Sequence, residues 1–240
     1  MLYHRFFLAF DFNLGEQISL STQAVRHVQV LRLQPGIQIE LFDGAGKACI
    51  ARIDHMGKQR VDVTVVEIQP PDTSPVRVRH LVVGMPANER MDWLVEKATE
   101  LGATRITPVM TQRTVLRLSG ERAEKRLEHW QGIAQAACSQ SGRNRLPQID
   151  LPKGLTQYLT EAEESSNDLK AVLSLQSGTH HWREIWSTAP THVTLLSGPE
   201  GGLTPQEEQA ALDKGFKAVN LGLQVLRAET APLAVLAQLL

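Results

Sequence analysis

The chain has 240 residues, 42% of them hydrophobic and 21% charged, with a formal net charge of −1. That length accommodates one large domain or two modest ones, and no apolar run approaches the ~20 residues that a membrane helix needs. The two cysteines, Cys49 and Cys138, stand far apart and outside any CxxC or Cys/His ligand spacing, which argues against a disulfide framework and against a metal site.

The N-terminus, MLYHRFFLAFDFNLG, has one Arg and an apolar patch broken by Asp11. It lacks the basic start, long apolar core and small-residue cleavage site of a signal peptide, so a cytoplasmic protein is expected. The first 70 residues read mainly as strands. IQIELFD (37–43) and KACIARID (47–54) flank GAG in a hairpin pattern, and RVDVTVVEIQ (60–69) alternates with period two. One helix, STQAVRHVQVLR, interrupts them, with Ser21 as its N-cap and Pro35-Gly36 closing the segment. The pattern predicts a small β-barrel module. PPDTSP (70–75) follows as a boundary, because clustered prolines neither continue a ladder nor start a helix easily.

After that boundary the rhythm changes. HLVVGMP reads as a short buried strand, ERMDWLVEKATEL as a helix with Met91, Leu94, Val95, Ala98 and Leu101 on one face and Gly102 at its end, and RITPVM as another strand. A longer helix is expected from about Ser119 to Ser141, with Ala123, Leu127, Trp130, Ala134 and Ala137 in one stripe. LKAVLSL, THVTLLS and KAVNLG then read as further buried strands separated by helical segments. Strands alternating with helices imply a mostly parallel α/β sheet covered on both faces.

Charge is uneven along the chain. Residues 76–146 carry 12 Lys and Arg against 7 Asp and Glu, whereas residues 1–75 carry 7 against 8 and residues 147–240 carry 6 against 11. A basic middle meets the electrostatic requirement for a polyanion, although such an excess is also what an ordinary solvated face carries.

Ligands of open parallel sheets bind beyond the carboxyl ends of the strands. Here those ends are Leu175-Gln176-Ser177-Gly178, Ser197-Gly198-Pro199-Glu200-Gly201-Gly202 and Leu221-Gly222-Leu223, and each contains glycine. Thr204 as N-cap, Pro205 at the first helical position and Glu207 in the capping-box position fix the start of the helix after the second loop. The glycines serve either a sharp turn alone or a close approach of backbone to a ligand. Glu200 inside the loop would serve a phosphate poorly and would tolerate a cationic centre, and neither GxGxxG nor GxxxxGK[ST] is present. The C-terminal VNLGLQVLRAETAPLAVLAQLL closes in a helix apolar almost all round, which requires burial in the core or against another subunit. Arg227 and Glu229 just before it either cap that helix, pair with each other, or take part in chemistry. His180 and His181 lack a third ligand at useful spacing.

GPEGGLT, then LGLQVLRAETA about twenty residues later, then the apolar terminal helix, resemble the signature of the SPOUT methyltransferases, knotted enzymes that use S-adenosylmethionine. RFF, HVQVLRLQPG, EKATELGATRITPV, TQRTV and ERAEKRLEHWQGIAQAACSQSGRNRLPQI extend the likeness over nearly the full length. In this arrangement the chain resembles the RsmE family, the small-subunit (16S) ribosomal RNA uridine-N3 methyltransferases. The resemblance implies a PUA-like β-barrel domain for RNA binding over residues 1–70. It implies a SPOUT catalytic domain with a parallel sheet and a C-terminal trefoil knot over 76–240, a homodimer with its site near the interface, and no metal. One departure is Pro86-Ala87-Asn88, where such enzymes often carry Lys after the proline, which puts a phosphate contact at that turn in question.

By matched motif, the S-adenosylmethionine site would comprise Leu175, Ser197, Gly198, Pro199, Glu200, Gly201, Gly202, Leu221, Gly222, Leu223 and Leu226. Leu221 and Leu226 would flank the adenine, with Glu200 on the sulfonium side. Arg227 would stabilise charge on the uracil oxygens, Glu229 would orient it or accept a proton, and Gln140 and Arg143 would hold the base or a phosphate. RNA contact is expected from Arg5, Arg26, His27, Arg32, Arg113, Arg117 and Arg143. The rival readings are an RNA-binding ribosome-assembly factor without catalysis, and a related methyltransferase acting on transfer RNA or large-subunit RNA.

Overall fold

Alternation sets the first layer. Val61, Val63 and Val65 turn inward from one strand into a cluster with Ile39, Leu41, Ala51 and Ile53 of the same sheet, all essentially shielded from solvent. The computed structural model describes residues 3–71, 77–87, 89–162, 169–185 and 190–240. It divides into two units, Met1–Ser74 with Gln135–Leu146, and Pro75–Ala134 with Pro147–Leu240. Residues 72–75 of the expected boundary lie outside the described residues.

The first unit contains β1 (Arg5–Phe7), β2 (Gln17–Ser19), α1 (Thr22–Val30), β3 (Gln38–Phe42), β4 (Ala48–Met56) and β5 (Val61–Ile68). Its sheet runs β1-β3-β4-β5-β2, with β1 parallel to β3 and the other pairs antiparallel. The β3–β4 hairpin pairs Phe42 with Ala48 around the GAG turn, and the Asp43 carboxylate accepts three backbone N–H groups of that turn, from Ala45, Gly46 and Lys47. Ser21 caps α1 as expected, its hydroxyl accepting from the Ala24 N–H.

The second unit follows as β6 (Val78–Gly84), α2 (Glu89–Glu100), β7 (Arg105–Met110), α3 (Glu121–Ser141), β8 (Gln148–Ile149), β9 (Lys153–Gly154), α4 (Leu155–Glu161), β10 (Leu169–Leu173), β11 (His180–His181), β12 (His192–Ser197), α5 (Pro205–Asp213), β13 (Lys217–Asn220) and α6 (Thr230–Leu236). The last residues of α3 belong to the first unit. The sheet runs β11-β13-β10-β12-β6-β7-β8, with β9 on β7, and every pairing is parallel. Its central strands are apolar on both faces because both are covered: Leu81 and Val83 face one cluster, Val82 the other.

Met91, Leu94, Val95 and Ala98 bury the expected face of α2, and Gly102 ends the segment at φ +89°. Asp92 on α2 accepts the indole N–H of the fully buried Trp130 at 3.0 Å, fixing α3 against α2. The terminal α6 is only seven residues long and buries Pro232, Leu233, Val235 and Leu236 against this chain's own α2 and β12. No helix among the described residues is long and apolar enough to cross a membrane.

Candidate functional site

Parallel pairing carries the ends of β10, β12 and β13 to one edge of the sheet, where the three glycine-containing loops meet. They enclose a hollow of about 210 Å³ lined by Leu173–Leu175, Ser197–Gly202, Val219–Gly222, Gln224–Leu226, Ala228 and Ala231. Leu175, Ser197 to Gly202, Leu221, Gly222 and Leu226 of the expected set are thus brought together. Leu223 is 98% exposed beside them. The sequence reading missed Ser174 and Asn220, which carry no glycine signal and were read only as parts of strands.

Side-chain hydrogen bonds hold the loops in register. Asn220 donates to Thr179 Oγ1 at 2.9 Å and to the Thr179 carbonyl at 3.1 Å, and its own Oδ1 accepts the Gly222 N–H. The loop after β13 is therefore tied to the loop after β10. The loop after β12 folds on itself, Gly202 N–H to the Pro199 carbonyl at 2.8 Å, with Gly202 at φ +70°. Glycine is sterically required at two places. A Cβ on Gly198 would lie 2.7 Å from Gly202 C and Leu203 N, and one on Gly84 would lie 2.5 Å from Pro199 Cδ.

Glu200 does not aim its charge into open solvent. Its Oε1 accepts the Ala87 N–H and the Arg90 guanidinium, each at 3.0 Å. Burial pushes this carboxyl up, but the Ala87 N–H, its own N–H and Arg90 outweigh that and hold it below the usual carboxylate range. The turn at Pro86-Ala87, where the family pattern would have Lys, thus gives its backbone to Glu200. Asn88 lies outside the described residues.

Arg113, expected to meet RNA, is exposed and engages the glycine loop. Its Nη1 donates to the Gly201 carbonyl at 2.6 Å, and its methylenes lie where a Gly201 side chain would be. It buttresses the glycine loop, as does Glu207, which accepts the Gln112 N–H. Arg113→Ala is expected to cost about 1 kcal/mol of local order, read as roughly five-fold faster amide hydrogen exchange at Gly202. Unchanged exchange there would leave the buttress without effect.

Two polar atoms at this edge are orphans. Ser197 Oγ, in the wall of the hollow, and Glu229 Oε2 are buried without a hydrogen-bond partner among the described residues. No ion pair joins Arg227 and Glu229 among the described residues, and the Glu229 side chain, at the N-cap position of α6, makes no capping bond. Arg227 is exposed, and its carbonyl accepts the Thr230 and Ala231 N–H groups that open α6. Leu175 is 78% exposed and Val225 74%, so an apolar rim borders the hollow.

The remaining expected residues belong to the first unit or to the surface. Gln140 lines a separate hollow in the first unit. Arg143 is half-buried, with burial lowering its pKa. The Arg5 guanidinium pairs with Glu40, donates to Asn144 Oδ1 at 2.6 Å and to the Arg143 carbonyl, and lies over the Phe42 ring, all within its own unit. Arg26, Arg32 and Arg117 are exposed, and His27 presents its ring edge-on to Phe6 at 5.2 Å.

Another titratable cluster holds the sheet rather than a ligand. His80 bonds Thr107, which bonds Asp150 with Arg105, near the starting ends of β6 and β7 and away from the glycine loops. Burial pushes His80 down to about 4, so it is neutral there. No group of three or more His, Cys, Asp or Glu able to hold a metal ion occurs among the described residues.

Residues 72–240 match the RNA methyltransferase domain family, and residues 20–66 match the RNA methyltransferase PUA domain. The chain is 34% identical over 226 residues to the ribosomal RNA small subunit methyltransferase E of Synechocystis sp., covering 92% of this chain and 72% of that one. It is similar to the crystal structure of a ribosomal RNA small subunit methyltransferase E from Neisseria gonorrhoeae bound to S-adenosyl methionine, at 39% identity and TM-score 0.91, covering 99% and 96% of the two chains. A putative methyltransferase from Legionella pneumophila in complex with the bound cofactor SAM is 33% identical, with TM-score 0.92, covering 100% and 97%.

Proposed function

The chain belongs to the family of ribosomal RNA small subunit methyltransferase E, and from that membership we propose that it methylates N3 of one uridine in small-subunit (16S) ribosomal RNA, using S-adenosylmethionine. The observation that carries this reading is the hollow at the strand ends: three loops, two places where no side chain fits, and a buried serine hydroxyl lacking a partner. Such a cradle suits a ligand read through main-chain N–H and C=O groups, and two similar proteins carry that cofactor.

When bound, S-adenosylmethionine supplies an electrophilic methyl group on a sulfonium centre. The residues of this chain do the rest. Backbone of Ser197 to Gly202 and of Leu221 to Leu223 would hold the cofactor's polar edges, and Leu221 and Leu226 would flank the adenine. Glu200 holds the loop in shape through Ala87 and Arg90, leaving a carboxylate in the wall for the cationic side. Uridine N3 reacts only after losing its imide proton. Arg227 offsets the negative charge that spreads onto the uracil oxygens, and the Glu229 carboxylate, buried beside it in sequence and not paired with it, is the group to take the proton. Positioning and electrostatics supply the rate, with no metal. The base must leave its stack to reach the site.

Residues 1–70 act as the PUA-like RNA-binding domain and 76–240 as the catalytic domain, with Gln140, Arg143 and the exposed Arg26, His27, Arg32 and Arg117 holding RNA. The trefoil knot is supported by the path from β13, beyond β10, back to α6 against β12. A homodimer is supported by the exposed Leu175, Leu223 and Val225, which a second subunit would cover. Because ribosomal subunits lie in the cytoplasm, so does the enzyme. Incubating the protein with methyl-labelled S-adenosylmethionine and small subunits from a strain lacking it should label small-subunit RNA. Label confined to transfer or large-subunit RNA would replace the substrate, and a chain that binds RNA but not the cofactor would be an assembly factor.

A further inference from the structure

We propose that the hollow between β1, α1 and the C-terminal end of α3, within the first unit, takes up one unpaired nucleobase of the RNA, from a nucleotide other than the methyl acceptor. This rests on the RNA-methyltransferase reading. The hollow measures about 600 Å³, the larger of the two cavities described, and nothing in the transfer step uses it.

Its wall has the chemistry of a base pocket. Phe6 is buried in the core of the unit and backs the exposed His27 ring, with ring centroids 5.2 Å apart, so His27 offers the open ring face in the wall. Single-stranded RNA is read by stacking unpaired bases on such rings, histidine included, with hydrogen bonds to the base edges. Hydrogen-bonding groups are present in kind. Gln23 on α1 and Gln140 on α3 are exposed amides, each offering a donor and an acceptor. Ser139 and Ser141 already donate their hydroxyls to the Gln135 and Ala137 carbonyls, which leaves oxygen lone pairs toward the hollow.

Charge says which part of the nucleotide belongs inside. No Asp or Glu lines the hollow, and its one cationic side chain, Arg5, is neutralised by Glu40. The interior is therefore near neutral and suits a base rather than a phosphate. Cations stand outside: Arg26 is exposed on the flank of α1, three residues from Gln23 and next to His27, and Arg32 is exposed just past Leu31. A base in the hollow with its backbone along Arg26 and Arg32 meets both requirements.

Ala136 is exposed in the wall, so Ala136→Phe fills the hollow without entering the core. The probe is a fluorescent fragment of small-subunit ribosomal RNA that the wild type methylates, made intact and with single abasic positions. Ala136→Phe should raise its Kd about tenfold, as expected for loss of one stacked base, while S-adenosylmethionine binding by titration stays unchanged. One abasic position outside the methylated uridine should weaken the wild type by a similar factor and add nothing in Ala136→Phe. Gln23→Ala, a milder change on the exposed face of α1, should weaken binding about threefold and stands in if Ala136→Phe does not fold. Wild-type affinity in both variants, or an abasic penalty that persists in full in Ala136→Phe, overturns the pocket. A dimer-to-monomer shift of Ala136→Phe in sedimentation assigns the hollow to a second copy and overturns it too. A wild type that labels no small-subunit RNA overturns the functional reading itself, and is distinguished because it fails before any variant is compared.

Discussion

Gly198→Ala is expected to raise the Kd for S-adenosylmethionine by about 100-fold or more, measured by calorimetric titration. The added Cβ meets Gly202 C and Leu203 N at 2.7 Å, and both are main chain, so no rotamer change relieves the clash. The segment from Pro199 to Leu203 has to move, and with it the wall that the proposed ligand contacts. Gly201→Ala is the control. Its Cβ would touch Arg113 side-chain carbons at 3.1 Å, and a flexible exposed side chain gives way. Wild-type affinity in Gly198→Ala would show that this loop is only a turn, the plain alternative that the glycines allow.

Arg227→Ala is the second large effect. The expected loss in kcat is about 100- to 1,000-fold, the range for removing one charge-stabilising donor from an active site, with the Kd for S-adenosylmethionine nearly unchanged. The separation follows from position: Ala228, not Arg227, is in the wall of the hollow, and Arg227 is exposed next to it. Arg227→Lys should recover only part of the rate, since a point charge replaces a planar fork. Normal turnover of Arg227→Ala on small subunits would remove this residue from the chemistry.

Local signals were legible in the sequence. Thr204 and Glu207 form the reciprocal capping box that their spacing predicts, each side chain accepting the other's backbone N–H. The glycine at the end of each of the three strands marks the edge where the hollow lies, because a parallel sheet brings equivalent ends together. What sequence could not show were partnerships between distant positions. Glu200 was read as a charge awaiting a ligand, but its partner Arg90 is 110 residues away and arrives only through the β6–β12 pairing. Arg113 counted toward a basic patch, yet it reaches Gly201 across 88 residues. Arg5, likewise, was expected to meet RNA, and Asn144 takes one of its nitrogens. A charge count treats every cation as solvated, whereas folding spends some of them on carbonyls and carboxylates. The closing apolar stretch was read correctly as buried, but its regular helix ends at Leu236, earlier than its hydrophobicity alone implies.

A methyl group arriving at one nitrogen of one base is the outcome that decides the function. Small subunits from a strain lacking this protein should be incubated with the purified wild type and S-adenosylmethionine, and the RNA then digested to nucleosides and mapped by mass spectrometry. The result expected is a single N3-methyluridine at one site in small-subunit RNA, absent without the protein and absent with Arg227→Ala. A methyl on another atom, on another RNA, or no new methyl at all would contradict it.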